Sequence, residues 1–175
     1  MSLVITQASA EALESYLTPL SELLLDGVKS GASIGFVEPL SSDDAKQFWQ
    51  ASVFPAVGCG ERILWLAEYE QRLIGTVQLE VSMMPNQAHR CEVAKLMVHS
   101  GFRRHGVGKK LMRELMAKAT KLQKQLITLD TRTGDASQAL YASLGFQVAG
   151  EIPGFALDPD CKKLSGTTYM YLPLE

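Results

Sequence analysis

The residues Arg103-Arg104-His105-Gly106-Val107-Gly108-Lys109 combine positive charge with two glycines one residue apart, directly ahead of an amphipathic run. In that run Leu111, Leu115, Ala119 and Leu122, joined by Val107, Met112 and Met116, recur at helical spacing, and Lys109, Lys110, Arg113, Lys118 and Lys121 take the other face. The spacing predicts a helix that starts at the glycine turn. The first N–H groups of a helix lack internal partners and carry the positive end of its dipole, so an anion belongs there. Gly106 and Gly108 let the main chain approach a diphosphate without an intervening Cβ, and Arg103, Arg104, His105 and Lys109 add charge. The stretch reads as a pyrophosphate cradle.

Two other readings of the same residues stay open at this level. One is an ordinary glycine turn with a solvated basic patch. The other is a dinucleotide fingerprint, because Asp130 follows at a strand end roughly 20 residues on. Against the latter, Leu111 stands where a third glycine belongs, and well over half the chain precedes the motif.

The elements that must position these residues follow from pattern. A first strand is expected at Leu3–Gln7, then a helix capped by Ser9 with Leu13, Leu17, Leu20, Leu24 and Val28 on one face, kinked or broken by Pro19. Gly31-Ala32-Ser33-Ile34-Gly35-Phe36 is a glycine-spaced apolar loop that could shape a pocket or plug the core, and Ser41 caps a second helix whose Phe48 and Trp49 read as core. Ile63–Tyr69, Leu73–Val81 and the strand from Cys91 make an antiparallel meander. Leu126–Asp130 arrives through the long helix and should pair in parallel. Asp135 caps a helix over Ala136–Leu144 ended by Gly145, and Gln147–Ile152 and Thr167–Leu172 supply the last strands. The result is an α/β (α+β) fold: a mixed, mostly antiparallel seven-stranded sheet with helices on both faces. A sheet that changes from antiparallel to parallel beside the Cys91 strand can splay there and open a crevice at the strand ends.

Composition narrows the function classes. The 175 residues suit one domain, and 17 basic against 19 acidic side chains give no charge reason to seek nucleic acid or a membrane surface. Cys59, Cys91 and Cys161 lack paired metal-ligand spacing, so neither a disulfide framework nor a metal site is expected. No apolar run has bilayer length and no signal segment is evident, so a cytoplasmic location is expected.

Arg103-Arg104-His105-Gly106-Val107-Gly108 resembles the R/Q-x-x-G-x-G/A motif of the GNAT superfamily of acetyl-CoA-dependent N-acetyltransferases. Leu96-Met97-Val98 looks like that family's pantetheine-binding strand end, and Ala139-Leu140-Tyr141-Ala142-Ser143-Leu144-Gly145-Phe146 is similar to its LYxxxGF segment. The resemblance implies one N-acetyltransferase domain over residues 1–175, monomeric or homodimeric, with acetyl-CoA as co-substrate and an amine as acceptor. The loop 31–36, the strands 92–98 and 129–131, and the segment 150–155 look like the tabtoxin-resistance acetyltransferases, a subfamily that implies a small amino-acid-like acceptor. The sequence departs from the general family at Gly134, where an asparagine often stands.

Acyl transfer from a thioester needs a neutral amine, a donor to the oxyanion and a proton for the leaving thiolate. A free backbone N–H near Leu96–Val98 could be that donor, contributing ~3 kcal/mol. Tyr141 matches the family's proton-donating tyrosine, and it lies off the apolar stripe of Ala136, Ala139, Leu140 and Leu144. Glu92 and Asp130 are the candidate bases, Glu92 lying eleven residues before Arg103, where some family members carry one. Ser33, Phe36, Asp130 and Phe155 are the candidate acceptor contacts. A protein lysine or N-terminal acetyltransferase, a non-catalytic acyl-CoA sensor and a nicotinamide dehydrogenase are the rival functions.

Overall fold

The computed structural model describes residues 2–175. Its strands are β1 (Val4–Gln7), β2 (Arg62–Tyr69), β3 (Arg72–Glu80), β4 (Arg90–Val98), β5 (Leu126–Arg132), β6 (Gln147–Leu157) and β7 (Leu164–Pro173). They form one sheet in chain order except that β7 lies between β5 and β6. Every neighbouring pair is antiparallel save β4 with β5, as expected of a strand that returns through a long helix. The β2–β3 turn is closed by Glu70 and Gln71 at φ 50° and 63°, the handedness that suits twisted strands.

Helices cover both faces. The first helical region is a 3-10 turn, Ala10–Tyr16, followed by α1 (Leu17–Lys29). The break falls ahead of Pro19, which therefore sits in the first turn of α1, where a missing N–H is harmless. Ser9 precedes the 3-10 turn but its side chain makes no cap bond. By contrast, Ser41 Oγ accepts from Asp44 N–H at 3.0 Å and caps α2 (Ser42–Phe48). A π turn, Trp49–Val53, leads into α3 (Phe54–Gly58). On the other face lie α4 (Val107–Lys121) and α5 (Ala136–Ser143).

The period-2 alternation of β2 divides its side chains between these layers: Leu64 and Leu66 pack beneath α1 to α3, Trp65 and Ala67 beneath α4. Trp49 is fully buried in the first layer, and Leu111, Leu115 and Ala119 fill the second. Leu122, expected on the buried stripe of α4, lies past the last turn of the helix and is exposed. Among the described residues no helix is long and apolar enough to cross a membrane.

One irregularity organises the centre of the sheet. Thr76 pairs with Met97 but Gln78 with Ala94, so β4 carries one residue more than β3 across this interval, and Lys95 there has φ 52°. An extra residue flips every side chain beyond it to the opposite face. Cys91 and Val93 accordingly pack with α4, whereas Met97 packs with α1 to α3, and Leu96 and Val98 turn toward α4.

Opposite this bulge, α4 packs tightly on Gly75. A Cβ there would stand 3.1 Å from the Met97 carbonyl oxygen and 3.2 Å from Leu111 Cδ1 and Val107 Cγ1. Gly75→Ala is expected to destabilise the fold by about 1–3 kcal/mol, because the carbonyl is fixed in the sheet and the helix must lift. Urea unfolding checks this as a lowered midpoint at unchanged slope.

Candidate active site

The sheet opens where β4 and β5 part. These strands pair only at Arg90 with Leu126, Cys91 with Ile127 and Glu92 with Thr128; beyond that β4 stays with β3 and β5 with β7. The gap widens into a crevice of about 910 Å³ that passes between the strands and is lined from both faces. His99 N–H donates to Ile74 O at 2.8 Å, and Val98 O instead accepts from Arg103 Nε at 3.1 Å. Strand alternation therefore directs the Val98 main chain, N–H included, away from β3 and into the crevice.

The α4 side of the crevice carries the basic turn. Gly106 caps α4 at φ 79° with no atom within 4 Å of a built Cβ, so glycine is needed there for backbone conformation and not for space. Gly108 differs: a Cβ would meet Leu140 Cδ2 at 3.2 Å, so its lack of a side chain lets α5 close against the start of α4. Arg104, itself at φ 68°, Gly106, Val107, Gly108 and Lys109 line the crevice, together with Leu96, Met97 and Val98.

Two of the cationic candidates are otherwise engaged. Arg103 also borders the crevice, but its guanidinium is spent on Val98 O and, at 2.5 Å, on Ser30 Oγ, which makes it a brace between α1 and the turn. His105 is exposed outside the crevice lining, with Nδ1 2.8 Å from Arg103 O. Asp26 completes the brace by accepting from Ser100 N–H at 2.7 Å and Ser100 Oγ at 2.6 Å. Partial burial pushes the Asp26 carboxyl up, but the two Ser100 bonds and the nearby His99 and Arg103 outweigh it and hold it below its usual value.

Tyr141 lines the crevice from α5, but it is not off the buried stripe as its spacing suggested. It is the buried residue of that helix, its ring 5.8 Å from Phe146, while Ala136 and Ala139 are exposed along the crevice. The helix is short, and packing a large ring outweighs burying two methyl groups. Burial, with Asp130 and Asp135 nearby, pushes the phenol well above its usual value, so it stays protonated at neutral pH. Among the described residues its hydroxyl has no protein partner.

The opposite face of the gap carries the carboxylates. Glu80 lies across from Glu92, and Thr128 and Asp130 continue that face on β5. Glu92 is bound by Arg90 at 2.9 Å and Glu80 by Arg62 at 2.5 Å. Asp130 has no cation within 4.0 Å among the described residues; Thr167 Oγ1 donates to its Oδ2 at 2.9 Å, which leaves Oδ1 open. Ser33 and Phe155 line this half, Phe155 because β6 bulges between Ile152 and Ala156. Phe36 does not. It stacks edge to face on Phe48 at 5.0 Å and packs into the α1 to α3 layer, so the phenylalanine of the glycine-spaced loop serves the core. The chain after this loop is tied to the β6–β7 connection where Glu38 N–H donates to Pro159 O at 2.8 Å.

Sequence reasoning missed Lys95 and Glu80, which line the same half. The available signal was a lone lysine within an otherwise apolar strand end. Burial pushes the Lys95 ammonium down, as does Arg62, against the opposing Glu80 and Asp130.

Comparison with known proteins agrees with this geometry. Residues 32–146 match the acetyltransferase (GNAT) family. The chain is 35% identical over 89 residues to N-acetyltransferase 8 of Homo sapiens, a match covering 50% of this chain and 39% of that protein, so the chain spans about two fifths of that relative's length. The fold is similar to an acetyltransferase structure from Salmonella typhimurium described with its cofactor acetyl-CoA, at TM-score 0.79 and 19% identity over 100% of this chain and 95% of that one. It is also similar to a ribosomal-protein-alanine N-acetyltransferase from Brucella melitensis, at TM-score 0.77 and 20% identity over 98% and 99%.

The Asp26 brace yields a pH-dependent expectation. Because its folded value lies below the unfolded one, Asp26 adds stability above about pH 4 that is lost as pH falls through the folded value. Asp26→Asn should cost about 1 kcal/mol at pH 7, with a gap to wild type that narrows as pH falls below about 4, read from denaturant midpoints across that range.

Proposed function

The chain belongs to the acetyltransferase (GNAT) family, and from that premise we propose that it transfers the acetyl group of acetyl-CoA directly to the amine of a small amino-acid-like or antibiotic-like acceptor. One domain over residues 1–175 carries both substrates. The observation that carries the reading is the gap in the sheet, open to a basic helix start and Tyr141 on one face and to carboxylates on the other.

The residues present fit the co-substrate. The N-terminal N–H groups of α4, with Arg104 and Lys109, suit the pyrophosphate, and the unpaired edge of β4 at Leu96, Met97 and Val98 suits the pantetheine arm. Acetyl-CoA supplies the activated acetyl carbon. The Val98 N–H, aimed into the gap, is the donor for the thioester oxygen, a contribution of ~3 kcal/mol to the barrier. Asp130, which has an open oxygen and no ion pair, takes the amine proton directly or through water, while Glu92, held by Arg90, adds negative charge that draws the ammonium in. Tyr141, kept protonated by burial, gives its proton to the departing sulfur.

A small acceptor is favoured over a protein one by the loop after α1 and by β6, whose Ser33 and Phe155 line the acceptor half. The resemblance to tabtoxin-resistance acetyltransferases points the same way. The deciding experiment is acetyl-CoA-dependent thiol release across amino acids, amine antibiotics and lysine peptides, with an acceptor-free control. Turnover with peptides alone overturns the small-acceptor reading, and release without any acceptor overturns transfer.

Two further outcomes are expected. Tyr141→Phe should lower kcat about 10²-fold with acetyl-CoA affinity retained by calorimetry; normal turnover removes Tyr141 as the acid. Asp130→Asn should abolish the acidic limb of the kcat/KM profile, whereas Glu92→Gln should mainly raise KM for the acceptor. The reverse pattern would assign the base to Glu92.

A further inference from the structure

Lys95 lines the acceptor half, yet the proposed transfer gives it no role. It stands on the one-residue bulge of β4 at φ 52°, a conformation that costs a non-glycine residue strain. The bulge sends its side chain to the α1 to α3 face, with Nζ against the Gly35 main chain, 3.4 Å from where a Cβ on that glycine would lie. Lys95 is half-buried and lines the crevice, yet among the described residues its ammonium has no carboxylate within 4.0 Å and no hydrogen-bond acceptor.

None of the surrounding carboxylates pairs with it. Glu80 is bound by Arg62 and Glu92 by Arg90, and Asp130 is bonded to Thr167. A cation taken partly out of water without a partner is unfavourable, and burial already presses Lys95 toward its neutral form. A small anion in the crevice removes that penalty.

We propose that Lys95 is the subsite for the carboxylate of the acceptor, so that the enzyme acts on free amino acids in preference to simple amines. The open cation of Lys95 and the open oxygen of Asp130 together complement a zwitterion. The acceptor's carboxylate lies on Lys95 and its ammonium is delivered to Asp130, next to the gap. The subsite rests on the acetyl-transfer reading above and specifies the substrate class for it.

The test pairs each amino acid with its counterpart lacking the charge: L-arginine with agmatine, L-lysine with cadaverine, and glycine with its methyl ester. Thiol release from acetyl-CoA is measured for wild type, Lys95→Met and Lys95→Arg. In wild type, kcat/KM for at least one free amino acid should exceed that of its counterpart by about tenfold or more, the size of one charge-assisted contact. Lys95→Met should collapse that ratio toward one through KM, and Lys95→Arg should restore most of it. Unchanged melting temperature and acetyl-CoA affinity in both variants exclude a folding defect. A wild-type ratio near one, or a ratio unchanged in Lys95→Met, overturns the proposal. If no acceptor turns over, calorimetric binding of the same pairs to the enzyme–CoA complex decides it separately from acetyl transfer: binding of the free amino acid that Lys95→Met loses supports the subsite, and equal binding of both partners overturns it.

Discussion

The site depends on the pairing of β4, which has one residue too many for β3 and a partner in β5 for only its first three residues. Either feature alone would do less. The extra residue reverses the facing of the strand end, so Leu96 and Val98 look toward α4 while Met97 closes the layer beneath α1. The lost pairing with β5 leaves main-chain groups of that end without a strand partner. Unpaired backbone polar groups in a sheet interior are costly unless something satisfies them, and the crevice lets water or a ligand do so.

Other parts of the fold hold this opening in place. α4 comes down on β3 at Gly75, which sets where the helix begins and hence where its free N–H groups point. The turn ahead of it is fastened from the far side of the sheet by Asp26 on Ser100 and by Arg103 on Ser30 and Val98 O. A basic residue of the glycine motif is thus part of the frame as well as of the site's charge. The half of the crevice that holds the carboxylates is bounded by the loop after α1 and by β6, through Ser33 and Phe155.

The two faces differ in character for a reason that follows from alternation. Ile127 and Leu129 of β5 face α4 and fill the core, so Thr128 and Asp130 must face the other way. Glu92 and Glu80 share that orientation through their cross-strand pairing. Charge is thereby concentrated on the acceptor side of the gap, and the buried phenol of Tyr141 remains on the apolar side, where burial keeps it protonated. The Tyr141 ring and the carboxylates thus belong to opposite faces of the sheet.

The strand and helix order, the parallel return of β5 and the helix start at Gly106 were legible in the sequence because period, turn residues and chain length fix them locally. Residue type and motif also marked Tyr141, Glu92 and Asp130 as site candidates, and all three line the crevice. Tertiary structure alone decided which face each of these met. Tyr141 proved to be core because a short helix buries its largest ring, and Phe36 left the pocket because Phe48 offered it an aromatic partner. Arg103 became a brace because Ser30 and Val98 O lie within its reach. Lys95 was the least visible: a one-residue bulge leaves no mark in hydrophobic alternation until the neighbouring strand is in place, since only pairing shows that β4 has a residue to spare.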